Sequence, residues 1–246
     1  MNVPQDFPAG AHATAVDDLP RYLRADALAH LASIAGEAPD LSCEILVEES
    51  KLAGEAILRA ADAFDADLIV IGSHRYGVVE RVLGTTTAHV VRSSTRDVLT
   101  VGTAFGAASL DTTEPASVLA CLDATDAAHE VFEAAARIAK ARNLKVHAFR
   151  VITGAGELTP STDALIASAV DELARVAKSI ESELFSGASA VVNEGAWRAL
   201  CSEASARRAE IIVVGGRRTG AILSFATTAA HLVQHSDAHV LIAHLG

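Results

Sequence analysis

The chain has 246 residues, half of them apolar, and its 31 acidic against 20 basic side chains give a formal charge of −11. That balance excludes a nucleic-acid binder, which needs a basic face, and no apolar run approaches the roughly 20 residues that a membrane-spanning helix requires. Cys43, Cys121 and Cys201 are widely spaced and fit thiols in a reducing cytoplasm rather than a disulfide framework or zinc site, and the N-terminus lacks the basic-then-apolar pattern of a signal peptide.

In chain order, residues 1–16 read as loop. Asp17-Asp18-Leu19-Pro20 starts a helix, which Leu23, Ala27, Leu28, Leu31 and Ile34 continue at helical spacing to Gly36. Cys43–Val47 reads as a short strand. A helix follows from Ser50 to about Phe64, then a buried strand Leu68–Ile71, a helix Thr85–Arg92 and a strand Val98–Val101. Residues 103–116 read as a linker between a first domain, 1–102, and a second, 117–246. The second domain alternates strands Val118–Leu122, Lys145–Ile152, Ala188–Val192, Ile211–Val214 and Val240–Ala243 with helices at 126–142, 161–184, 196–208 and 227–234. Five strands alternating with four helices predict an α/β fold with a parallel, Rossmann-like sheet covered on both faces.

One segment occurs twice. Asp67–Gly72, a glycine loop, Gly84–Val91 and Val98–Val101 return as Glu210–Gly215, Ala226–Val233 and Val240–Ala243, offset by 143 residues before the loop and 142 after it. The first half opens with the counterpart of the second half's long helix. About 40 residues of the second half, two strands and the helix between them, have no counterpart in it. The first half is therefore expected not to complete its own sheet: its remaining strands pair directly, leave a gap or borrow strands from another chain. A coding start upstream of Met1 is one explanation of the shortfall.

The motifs Ile69-Val70-Ile71-Gly72-Ser73-His74, Leu83-Gly84-Thr85-Thr86 and Arg96-Asp97-Val98-Leu99, with the opening strand Val118–Asp123 of the second half, resemble the universal stress protein family in its two-domain form. The resemblance implies two HUP-type parallel-sheet domains, the first without its opening β-α-β unit. It also implies an ATP site in which the aspartate ending the first strand and the end of the second strand, here Asp123 and Val151, hold the adenosine. A loop of pattern Gly-x2-Gly-x9-Gly-Ser/Thr would cradle the phosphates with backbone N–H groups at a helix N-terminus. The matching positions are Gly72, Ser73, His74, Gly84, Thr85 and Thr86 in the first copy, and Gly215, Gly216, Arg217, Gly220, Thr227 and Thr228 in the second.

Both copies depart from that pattern. Arg75 replaces a glycine in the first, which also lacks the two strands of the adenosine floor; Ala226 replaces the glycine before Thr227 in the second, whose loop is two residues short. Members of the family dimerise through the last strand, so self-association is expected there, as an internal pseudo-dimer or a homodimer. The expected function is a cytoplasmic, non-enzymatic stress protein that works by contact with a protein partner and has weak or degenerate nucleotide binding. The alternatives are a regulator holding ATP in the second domain and, ranked last, an adenylating enzyme of a related fold, whose phosphate loop Asp123-Ala124-Thr125-Asp126 does not supply. His231 and His235, four apart on a helix, have metal-like spacing, but His231 repeats the isolated His89 and His235 ends a helix where positive charge is favoured, so no metal is expected. Trp197 reads as a packing anchor.

Overall fold

The structure is a computed structural model that describes residues 19–73, 85–102, 116–123, 127–153, 160–216 and 224–245, with the backbone alone at 19–20, 73, 85, 160 and 224–227. The chain divides into two units, residues 1–51 and 52–246. In the first unit, helix α1 (Leu19–Gly36) leads into irregular chain up to Lys51. Cys43–Val47, expected as a strand, joins no ladder. A strand persists only when a neighbour takes up its N–H and C=O groups, and the strand that would lie beside this one is among those the first half lacks.

The second unit is built on one seven-stranded sheet. Its elements are α2 (Ala53–Ala63), β1 (Leu68–Ser73), α3 (Thr85–Ser93), β2 (Asp97–Gly102), β3 (Ser117–Cys121), α4 (Ala128–Arg142), β4 (Lys145–Ile152), α5 (Pro160–Glu181), β5 (Phe185–Val192), α6 (Ala196–Ala206), β6 (Ala209–Gly216), α7 (Ser224–His235) and β7 (His239–His244). The strand order is β1-β2-β7-β6-β3-β4-β5, and every pair is parallel except β2–β7. Strands β3 to β7 form a complete five-stranded α/β unit with β3 at its centre. Among the described residues, the first copy supplies only β1 and β2, which pair directly.

Apolar runs such as Ile211–Val214 are continuous because helices cover both faces of this part of the sheet. On one face Val118, Ala120, Val146, Ala148 and Val213 pack under α4 and α5; on the other Leu119, Phe149, Ile212 and Val214 pack under α6 and α7. Phe132, Leu119, Leu173 and Ile212 are fully buried, each stabilising by about 1.5–3 kcal/mol. Alanine at 134, 135 and 139 lets α4 approach the sheet closely.

The repeat extends to local hydrogen bonding. Asp65 and Arg208, 143 residues apart, both adopt φ near +50° where α2 and α6 end. Ser94 and Ser236, 142 apart, accept from the N–H groups of Arg96 and Ala238 at 3.0 Å as the chain turns from helix into the last strand of each copy. Where those last strands meet, Leu99 faces Leu241, Val98 faces Ile242 and Thr100 faces Val240. Leu99 thus lies opposite its own counterpart, and the flanking pairs are exchanged, as a two-fold axis through this point requires. Asp97 reinforces the join: Oδ1 accepts from the His244 N–H at 2.7 Å and Oδ2 from Arg137 at 3.1 Å.

Candidate functional site

Ligands of open parallel sheets bind outside the carboxyl ends of the strands, where the chain order reverses. In the second copy that point is β3, with β4 on one side and β6 on the other. Cys121 lies opposite Phe149 and opposite Val214, so continuing the register by two residues aligns Asp123 with Val151 and Gly216. The structure therefore brings three of the expected positions into one row at the carboxyl edge. The N–H of Leu122 still donates to the Phe149 carbonyl at 2.9 Å, which carries the β3–β4 pairing past the end of the regular strand.

Gly215 and Gly216 sit at the end of β6, but packing alone accounts for their being glycine. A Cβ on Gly215 would lie 2.8 Å from Leu245 Cδ1 and 3.0 Å from Val131 Cγ2; one on Gly216 would lie 2.7 Å from Ile242 Cγ2. The N–H of Leu245 also donates to the Gly216 carbonyl at 3.3 Å. These glycines are therefore no independent sign of a phosphate cradle, and the row of Asp123, Val151 and Gly216 rests on strand register alone. Thr227 closes the first turn of α7, the end of a helix that favours anions, and Thr228 follows it. Arg217 and Gly220 lie outside the described residues.

Beside this row is a side chain that the motifs do not record. Arg150, buried on β4, donates from Nη2 to the Asp123 carbonyl at 2.7 Å, from Nε to the Leu122 carbonyl at 3.3 Å and from Nη1 to Glu172 of α5 at 2.7 Å. The hydrogen bond from Arg150 is the main cause that holds the Glu172 carboxyl below its ordinary range, against burial. The signal was present: Arg150 is the lone permanently charged residue in the run Val146–Ile152.

In the first copy Gly72 and Ser73 end β1, and Thr85 and Thr86 begin α3. The hydroxyl of Thr87, which the motif reading did not single out, donates to the Gly72 carbonyl at 3.4 Å. His74 and Gly84 lie outside the described residues. Strand β1 is an edge of the sheet, so no described strand stands where β3 stands beside β6. Because β2 and β7 run antiparallel, the carboxyl ends of β1 and β2 open at the opposite edge from Asp123. The two sets of expected residues cannot combine into one site.

A second polar cluster lies between the sheet and α6. His147 Nε2 is 2.9 Å from Ser189 Oγ, which donates to Glu203 Oε1 at 2.9 Å, while Arg207 Nε donates to the same oxygen at 2.6 Å. Since the only proton of Ser189 goes to Glu203, Nε2 of His147 is the donor toward Ser189 and cannot act as its base. Burial first, and then Arg207, push His147 down to about 4, with Glu203 opposing. Burial also opposes the charge of Glu203, but hydrogen bonds from Arg207 and Ser189 outweigh it and keep that carboxyl below the usual range. The cluster holds α6 to the sheet and has no nucleophile geometry.

His231 and His235 stack on Trp197, with ring centroids 5.2 and 4.7 Å away, and the guanidinium carbon of Arg198 lies 4.6 Å from the same ring centroid. Trp197 is the packing anchor that the sequence suggested. The first copy makes the same helix contact with the sizes changed: Gly54, the counterpart of Trp197, lies against His89, whose Cδ2 would be 2.8 Å from a Cβ there.

A parallel five-stranded unit of strand order 3-2-1-4-5, with an aspartate following its first strand and glycines ending its fourth, defines a Rossmann-like α/β fold. The sequence profile of the universal stress protein family matches residues 2–102 and 116–244, and the chain belongs to that family. Among solved structures it is similar to a universal stress protein from Archaeoglobus fulgidus DSM 4304, with 16% identity, TM-score 0.67, and 96% of this chain and 81% of that one covered. A putative universal stress protein from Pseudomonas aeruginosa UCBPP-PA14 gives 15% identity, TM-score 0.58, and 96% and 79% coverage. A universal stress protein from Archaeoglobus fulgidus in complex with dAMP matches over 51% of this chain and 94% of its own, with 20% identity and TM-score 0.38. No curated protein matches the chain. Among the described residues no helix is long and apolar enough to cross a membrane.

Proposed function

We propose that the chain is a regulatory stress protein with one adenine-nucleotide site, in its second copy, and that the first copy serves as a built-in dimer partner. The observation that supports this most is the row of Asp123, Val151 and Gly216 at the switch point of the complete sheet, against the open edge of β1 at the matching place in the first copy. The exchanged pairing about Leu99 and Leu241 supports an internal pseudo-dimer, because it makes within one chain the contact that two copies would otherwise make. The output is contact with a protein partner, gated by the nucleotide.

Titration of the whole chain with ATP and AMP, read by calorimetry and thermal shift, tests the reading. Saturable binding that Asp123→Ala weakens by about tenfold is expected; no heat and no thermal shift with either nucleotide would remove it. A second reading, protein contact without nucleotide, is favoured by the close packing of Leu245 and Val131 over Gly215, and that null result would leave it standing.

A further inference from the structure

Arg150 is an expensive residue to place in a buried strand, since a buried cation destabilises unless it is paired and hydrogen-bonded. Its bonds lie where the regular sheet has stopped: β3 ends at Cys121, and the guanidinium takes the next two carbonyls, those of Leu122 and Asp123. Its third contact, with Glu172, fixes it against α5.

We propose that Arg150 is a positioning residue for the nucleotide site: it fixes the backbone at Leu122–Asp123 so that Asp123 is held in place before the ligand arrives, and Glu172 fixes Arg150 in turn. This rests on the adenine-nucleotide reading above. A loop already held in its binding geometry loses less freedom on association, so the contribution appears as affinity for the adenosine moiety rather than as a contact with it.

The test is an AMP titration of the whole chain by calorimetry, with thermal midpoints measured without ligand, for the wild type, Arg150→Lys, Arg150→Met, Asp123→Ala and the Arg150→Met/Asp123→Ala double variant. Arg150→Met and Asp123→Ala are each expected to weaken AMP by about tenfold, and Arg150→Lys to recover part of the loss. The double variant should bind no more weakly than Asp123→Ala alone, because Arg150 acts through Asp123. Losses that multiply to about a hundredfold, or Arg150→Met binding AMP as the wild type does, overturn the proposal. If Arg150→Met does not fold, Glu172→Gln keeps the guanidinium and its two carbonyl bonds but weakens its third anchor; AMP affinity should fall about threefold, and an unchanged affinity overturns the proposal. A wild type that ignores AMP defeats the nucleotide reading itself, whereas a wild type that binds AMP with variants that match it defeats this inference alone.

Discussion

Val70 and Val213 occupy the same place in two copies of one strand, yet Val70 is 60% exposed and Val213 is fully covered. The strands are alike in sequence, Leu68-Ile69-Val70-Ile71 and Ile211-Ile212-Val213-Val214, so the difference comes from their neighbours. In the second copy β3 pairs with β6 and α4 packs on that face; in the first nothing described stands in either place. An apolar run signals a strand, but only the surrounding units decide whether it becomes core.

The largest way to test that contrast is to place a charge at both sites. Val213→Asp should destabilise by about 4 kcal/mol or more, as an unpaired buried carboxylate does. Val70→Asp should change stability by no more than about 0.5 kcal/mol. Denaturant unfolding of both variants measures this, and equal losses would mean that β1 is covered in solution.

The helix contact beside each strand gives a second contrast. Trp197→Ala removes the face on which His231 and His235 stack and should cost about 3 kcal/mol. Gly54→Ala adds a methyl where His89 already fills the space and should cost about 1–2 kcal/mol by crowding. Thermal unfolding that found Gly54→Ala neutral would show that α2 and α3 yield where α6 and α7 do not.

Much of this was legible in the residues. The duplication and the missing β-α-β unit followed from sequence order and spacing, whereas the aspartate and glycine positions came from the family resemblance. The strand expected at Cys43–Val47 did not, because a strand is a property of a pair and its pattern cannot show that the neighbour is missing. Nor did the reason for Gly215 and Gly216: a glycine that admits phosphate and one that admits Leu245 or Ile242 are the same letter. Arg150 went unremarked because its partners are the carbonyls of Leu122 and Asp123, which no side-chain motif records.

The effect that is smallest at neutral pH concerns the cluster that the second copy has on α6. The His147 pKa is pushed down to about 4 in the folded chain, against about 6.5 unfolded. The unfolded state therefore binds more protons between those values, and stability falls as pH drops from about 6.5 toward 4. His147→Gln, which can still donate to Ser189, should remove most of that loss, up to about 3 kcal/mol at pH 4. Thermal midpoints of both proteins across this window measure it, and parallel pH profiles would show that His147 titrates normally.

On the proposed reading, two copies of one fold carry a single nucleotide site. The most direct measurement is the stoichiometry of AMP binding to the whole chain by calorimetry. One AMP per chain is expected, weakened by Asp123→Ala and untouched by Thr86→Val in the first copy. Two equivalents per chain, or a single site indifferent to Asp123→Ala, would contradict it.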